Sequence, residues 1–414
     1  MSAKKRKRRS PGDGGIAAYE TTAGTRYRIN GMVTMPDGSR KRAWMRKGPN
    51  GETWTDPDSA REALRAMLSE SDKGTFTEPS QEPLGPYGAG VIDGLRISEA
   101  TRASYRKNWR LHVEPYPVGR LPLARGTSQK LNAHYRVLET SGRKDYREGE
   151  PLGPRTVRYV HQIISEVLDQ AAADGLIRVN WAKAAKPPTA KQAKAPEMHC
   201  WTPAQLAAFF GWSAEHSQHH ALWYLLACTG MRRGEALALR WRDLDLDAGM
   251  ASIRRSAGIV RCWGEGYTIT EGTTKTDKPR LIDLDASTVA VLRAHRLARA
   301  GMALPLAKPA ALVFGNIEGE HRHPEHTSRQ FKADLVRCRK ALGDSAPPEC
   351  RLHDLRHAHA TALLLAKVPV HVVSQRLGHA NPTVTLTVYA HVMPGSQRDA
   401  ADVFAGLIGK AGGA

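Results

Sequence analysis

Polarity along the chain changes period several times, and each change predicts an element. From Thr25 the residues alternate, Tyr27 and Ile29 against Arg26 and Arg28; the pattern breaks at Pro36-Asp37-Gly38 and resumes from Arg40 to Arg46. That is the signature of a basic β-hairpin. After Thr55 the period lengthens: Pro57 suits a first helical turn, and Ala60, Ala63, Leu64, Met67 and Leu68 recur at helical spacing. A small sheet packed by one helix follows for residues 16–70. Residues 71–86 lack periodicity, are rich in Pro, Gly and Ser, and read as a linker. Helical spacing then returns. A helix capped by Ser98 turns Tyr105, Trp109 and Leu111 inward and Arg102, Arg106, Lys107 and Arg110 outward, and a later one runs through Val157, Val160, Ile164, Val167, Leu168 and Ala171.

A second linker, residues 183–197, mixes prolines with lysines. Thr202 and Pro203 then open a third, mostly helical module as N-cap and first helical residue. A strand-like stretch from Ala251 to Leu284 interrupts it, and Tyr267 to Leu284 reads as a hairpin projecting Lys275 from its turn. The fold class expected is α+β, mainly helical. Its parts are a disordered basic tail (1–15), the sheet-plus-helix unit (16–70), a linker (71–86), a helical domain (87–182), a linker (183–197), the third module (198–395) and a C-terminal tail (396–414).

Charge narrows the function. The 414 residues carry 61 Lys and Arg against 41 Asp and Glu, a formal +20. The basic residues recur in patches along the chain, so a polyanion is the expected partner. "KKRKRR" (Lys4 to Arg9) reads as an arm that grips phosphates. The longest apolar runs, such as "ALWYLLACTGM", are too short to span a bilayer, and the five cysteines are scattered without CxxC spacing. No membrane partner and a reducing, cytoplasmic setting are expected.

Candidate chemistry concentrates near the C-terminus, in "RLHDLRHAHA". His353 and His357 are four apart and share a helical face, the spacing that offers two imidazoles to zinc, but Asp354 stands where a metalloprotease has glutamate, and Arg356 crowds the cation position. A phosphate suits that arginine and a cation does not. Upstream, Arg232 and Glu235 lie one helical turn apart, a surface salt bridge or a rigid brace for a guanidinium. With Lys275, His353, Arg356, His379 and Tyr389 they compose a phosphoryl-transfer set that calls for no metal and no cofactor.

The strings "TGMRRGE", "KT…R.IDL", "HDLRHAHA", "LGH" and "VYAH", in this order, make the third module resemble the catalytic domain of the tyrosine recombinases, the phage integrase family. The resemblance is strong from Trp201 to Met393. It implies that Arg232 and Arg356 clamp the scissile phosphate, that His353 and His379 assist, that Lys275 is the general acid and that Tyr389 is the nucleophile, with Glu235 bracing Arg232 and His353. More weakly, residues 16–70 resemble an arm-type DNA-binding domain and residues 87–182 a core-binding domain. Arg26, Arg28, Arg40 and Arg42 on the first, and Arg102, Arg106 and Lys107 on the second, are then the candidate DNA contacts. The implied function is a site-specific integrase of a phage or mobile element, associated with the nucleoid. Its implied partners are double-stranded attachment sites, three further copies in a tetramer on DNA, and a host bending factor or excisionase. The rivals are a dimer-resolving recombinase and a non-catalytic DNA-binding regulator. Two departures stand out: Lys367 replaces a customary helix-end glycine, and Lys278-Pro279 interrupts a stretch that commonly contains serine.

Overall fold

The computed structural model describes residues 14–35, 38–48, 52–74, 76, 80–194, 200–262, 266–273 and 279–389, with 401, 402, 404, 405 and 408 beyond. Lys275, nearly all of the expected basic tail and most of the C-terminal tail lie outside these residues. Contacts divide the chain into two compact units, Met1–Ala195 and Pro196–Ala414.

In the first unit, β1 (Gly15–Thr21), β2 (Gly24–Thr34) and β3 (Arg40–Met45) form an antiparallel sheet in that order. Alternation sends Ile29, Val33 and Ala43 to the buried face. The helix α1 (Pro57–Asp72) covers that face with Ala60, Leu64 and Met67, and Asp56 caps it by accepting from the backbone N–H groups of Asp58 and Ser59. Phe76, within the stretch read as a linker, is buried in this same core. The linker reading also yields at its far end, because α2 (Leu84–Gly94) starts two residues before Pro86, where the missing proline N–H would have had no helical partner. Leu84 enters a second core, shared by α2, α3 (Glu99–His112), α4 (Ser128–Ser141) and α5 (Pro154–Ala173). Ser98 caps α3 as expected, and Tyr105 and Trp109 are buried. Leu111 is only half-buried, and Val113 fills the core instead. On α5 every apolar position picked out by periodicity is buried.

The second unit opens with α6 (Pro203–His216), closed by a capping box between Thr202 and Gln205, then α7 (His220–Thr229) and α8 (Arg233–Leu237). Next come β4 (Leu244–Asp245), β5 (Met250–Ile253), β6 (Arg255–Cys262), β7 (Gly266–Thr273) and β8 (Arg280–Asp283). Tyr267 to Leu284 does not form the single hairpin expected. β7 pairs with β6 (Ile259 opposite Ile269), whereas β8 pairs with β5 (Ala251 opposite Ile282). Burial explains the split: Ala251, Ile253 and Ile282 bury in the main core, while β7 is mostly exposed. The chain finishes with α9 (Ala286–Met302), α10 (Pro324–Leu342), α11 (Asp354–Leu365), α12 (Val370–Leu377) and α13 (Pro382–Tyr389). No helix among the described residues is long and apolar enough to cross a membrane.

Candidate active site

A buried carboxylate organises one side of the site. Arg232 is the N-cap residue of α8; its backbone N–H donates to Glu235 Oε2 at 2.9 Å and its Nη1 to Oε1 at 2.8 Å. From β8, Arg280 donates to the same two oxygens at 3.1 and 2.6 Å. Glu235 is 1% exposed. Burial opposes its charge, yet Arg280 and Arg232 together hold its carboxyl below the usual glutamate range. The partners of Glu235 are therefore Arg232 and Arg280, not Arg232 and His353 as the sequence suggested.

Two left-handed glycines anchor Arg356 and Arg232. Gly230 ends α7 with φ of 64°, and Gly378 ends α12 with φ of 68°. The carbonyl of Gly230 accepts from Arg356 Nη1 at 2.6 Å, and the carbonyl of Gly378 accepts from Arg232 Nη2 at 3.1 Å. Each arginine is thus tied to a turn 126 or 146 residues away. Neither glycine has room for a side chain: a Cβ on Gly230 would meet Leu377 at 2.7 Å, and one on Gly378 would meet the Arg280 guanidinium at 2.7 Å. Arg356 is 4% exposed, and its Nη2 is buried with no hydrogen-bond partner among the described residues. Desolvation, then the nearby Arg232 charge, pushes its pKa down to about 10. A buried, half-satisfied guanidinium beside a second one makes a place for an anion.

Around this pair lie the histidines and the tyrosine. His353 is the N-cap residue of α11, and its ring meets that of His357 edge to face at 5.1 Å. His379 follows α12, and its Nδ1 lies 2.7 Å from Thr385 Oγ1. Desolvation first, then the Arg356 and Arg232 charges, lowers His379 to about 4; desolvation, His357 and Arg356 lower His353 as well. Both are neutral at pH 7. Tyr389, the last residue of α13, is 1% exposed, and its hydroxyl lies 2.7 Å from His357 Nδ1. Burial raises its pKa, and the Arg356 charge pulls it back. The helix that carries it is seated by Leu364, Val373 and Leu377.

The structure thus brings together Arg232, Glu235, His353, Arg356, His379 and Tyr389; Lys275 is outside the described residues. Arg280 and His357 were not given roles from the sequence. Arg280 is the arginine inside the quoted "KT…R.IDL" string, and His357 shares the face of His353, which are the signals that point to them. Of the candidate DNA contacts, Arg26, Arg28, Arg40 and Arg42 share the sheet face opposite α1, with Arg28 stacked over Trp44 at 5.5 Å. On α3 Lys107 is exposed, whereas Arg102 pairs with Glu99 at 2.5 Å and Arg106 with Asp93 at 2.6 Å.

Residues 202–395 match the phage integrase family. The chain is 27% identical over 363 residues to a putative prophage phiRv2 integrase of Mycobacterium tuberculosis, covering 86% of each chain. It is 27% identical over 295 residues to the integrase of Mycobacterium phage D29, covering 70% of each. A structure of the Tn1549 transposon integrase in complex with a circular intermediate DNA superposes with a TM-score of 0.63 at 20% identity, over 77% of this chain and 99% of that one. A lambda integrase tetramer bound to a Holliday junction gives 0.51 at 17% identity, over 92% and 96%. From the family match and from the site in which Arg232, Arg356 and Tyr389 meet, residues 202–395 form a tyrosine-recombinase domain of the phage integrase family.

Proposed function

We propose that the chain is a site-specific integrase of a phage or integrative mobile element, which cuts and rejoins DNA through a 3′-phosphotyrosine to integrate and excise that element. The observation that carries this reading is the buried Arg356, with one nitrogen tied to Gly230 and another unpaired, close enough to Tyr389 for its charge to act on the phenol. A phosphodiester repels nucleophiles. Arg356 and Arg232 neutralise its nonbridging oxygens and stabilise the charge that grows in the transition state. Tyr389 attacks phosphorus, and the 5′ oxygen leaves with a proton from the general acid, the role given to Lys275. His353 and His379, neutral, hydrogen-bond the phosphate. The energy of the broken bond is kept in the phosphotyrosine, so rejoining needs no ATP.

In this reading residues 16–70 hold arm-type sites through Arg26, Arg28, Arg40 and Arg42, residues 87–182 hold the core site through Lys107, Arg102 and Arg106, and residues 198–395 do the chemistry. Arg102 and Arg106 exchange their carboxylate partners for phosphates on binding. Four copies assemble on paired sites, as in the lambda integrase tetramer. A host bending protein or an excisionase sets direction, and DNA binding keeps the protein with the nucleoid. The sheet β1–β3 favours an integrase over a dimer-resolving recombinase, because a separate basic sheet gives a second DNA site.

Incubating the protein with candidate attachment DNA in EDTA tests the reading. A covalent protein–DNA adduct is expected, absent in Tyr389→Phe while site binding persists. Adduct formation that needs a divalent ion, or that survives Tyr389→Phe, refutes it.

A further inference from the structure

The histidine pair that raised the question of zinc has one member without a role in the clamp. His357 lies on α11 directly after Arg356, and its Nδ1 is 2.7 Å from the Tyr389 hydroxyl. Tyr389 is 1% exposed, so a proton leaving its hydroxyl has little direct access to bulk water. We propose that His357 is the base that receives the Tyr389 proton during cleavage and returns it during rejoining. The assignment rests on Tyr389 being the nucleophile.

Chemical balance is simple. As the bond from Tyr389 Oη to phosphorus forms and the bond from phosphorus to the 5′ oxygen breaks, the phenol proton passes to Nδ1; the leaving oxygen takes its proton from the general acid. Rejoining reverses each transfer, so protonated His357 supplies the proton that makes the phenol a leaving group. The surroundings keep the imidazole ready to accept. Burial, the Arg356 charge on the same helix and the Arg351 charge just before it disfavour a resting imidazolium; Asp354 works the other way. His353 touches the ring from the first turn of α11, and His379 faces it from the turn after α12. Arg356 favours the phenolate that results, so base and phenolate stabiliser are adjacent on one helix. His353, one turn back on α11, is left to the phosphate, and the two histidines divide work that one residue could not do from two positions.

A nicked duplex carrying the attachment sequence of the encoding element, with full-length protein, tests the proposal. His357→Ala is expected to slow adduct formation by about 10²-fold or more, the usual contribution of a positioned base. Ligation of a strand ending in a 3′-p-nitrophenyl phosphate gives the counterpart, because nitrophenolate departs without a proton. There the double variant His357→Ala/Tyr389→Phe is expected to match Tyr389→Phe alone within about twofold. Loss of that ligation as well would make His357 a structural support and overturn the proposal. Unchanged adduct formation would overturn it too, and faster adduct formation would make the bond a latch that restrains the nucleophile. An adduct formed by Tyr389→Phe would instead overturn the nucleophile assignment, a result separable from any on His357.

Discussion

Replacing Glu235 by leucine separates what the buried carboxylate does for stability from what it does for chemistry. Glu235 is 1% exposed and accepts four hydrogen bonds, two from Arg232 and two from Arg280. The Arg280 side chain is itself only 8% exposed, so without the carboxylate it becomes an uncompensated buried charge. Breaking one side of such a pair costs about 3 kcal/mol or more. For a unit the size of Pro196–Ala414 that corresponds to a fall of about 6–12 °C in its thermal transition. Adding Arg280→Met removes the orphaned charge, so the double variant is expected to regain most of the loss. Activity should not return with it. Arg232 loses the oxygens that fix both its backbone N–H and its guanidinium, and a clamp displaced by about an ångström costs roughly 10²-fold in rate. Calorimetry reads the first effect, and the rate of covalent adduct formation on a nicked attachment duplex reads the second. A double variant no more stable than Glu235→Leu alone, or one that recovers adduct formation, would falsify the reasoning.

Three further outcomes follow from the same contacts. Gly230→Ala places a Cβ in the left-handed region and against Leu377 and His359; it should lower stability by at least about 1–2 kcal/mol and displace the carbonyl that holds Arg356, which denaturant melts and adduct assays would both register. Lys367, with φ of 61°, is the one non-glycine residue with positive φ among the described residues; Lys367→Gly should stabilise the second unit by up to about 1 kcal/mol, and a lower denaturation midpoint would contradict the strain argument. His112 and His134, buried in the helical core of the first unit, are lowered by burial from 6.5 to about 4. A histidine whose folded pKa is depressed gives stability that is full above its unfolded value and lost as pH falls toward the folded one, so the first unit should weaken between about pH 6.5 and 4. Melts showing no loss across that window would refute the assignment.

Short-range signals carried much of the molecule. Ser98, Thr202 and Pro57 marked helix starts because capping is settled within four residues, and the apolar spacing on α5 named its buried face because helical period is a local property. The order of "TGMRRGE", "HDLRHAHA" and "VYAH" likewise named arginines, histidines and a tyrosine that the fold brings together. Local pattern misled where two cores competed for one segment. Phe76 sits in a stretch whose Pro, Gly and Ser content reads as a linker, and only the pocket beneath the sheet decides that its ring is buried.

Tertiary structure alone decided the partnerships. Alternation from Tyr267 to Asp283 is the same whether β7 pairs with β8 or each with an earlier strand; burial of Ala251 opposite Ile282 chose the second. That Gly230 holds Arg356 and Gly378 holds Arg232, that Arg280 shares Glu235, and that His357 rather than His353 meets the Tyr389 hydroxyl are contacts between residues up to 146 positions apart. Period, capping and composition act over a few residues, whereas a hydrogen bond between distant turns exists only once packing has fixed both ends. The sequence therefore named the chemical groups, and the fold assigned each its neighbour.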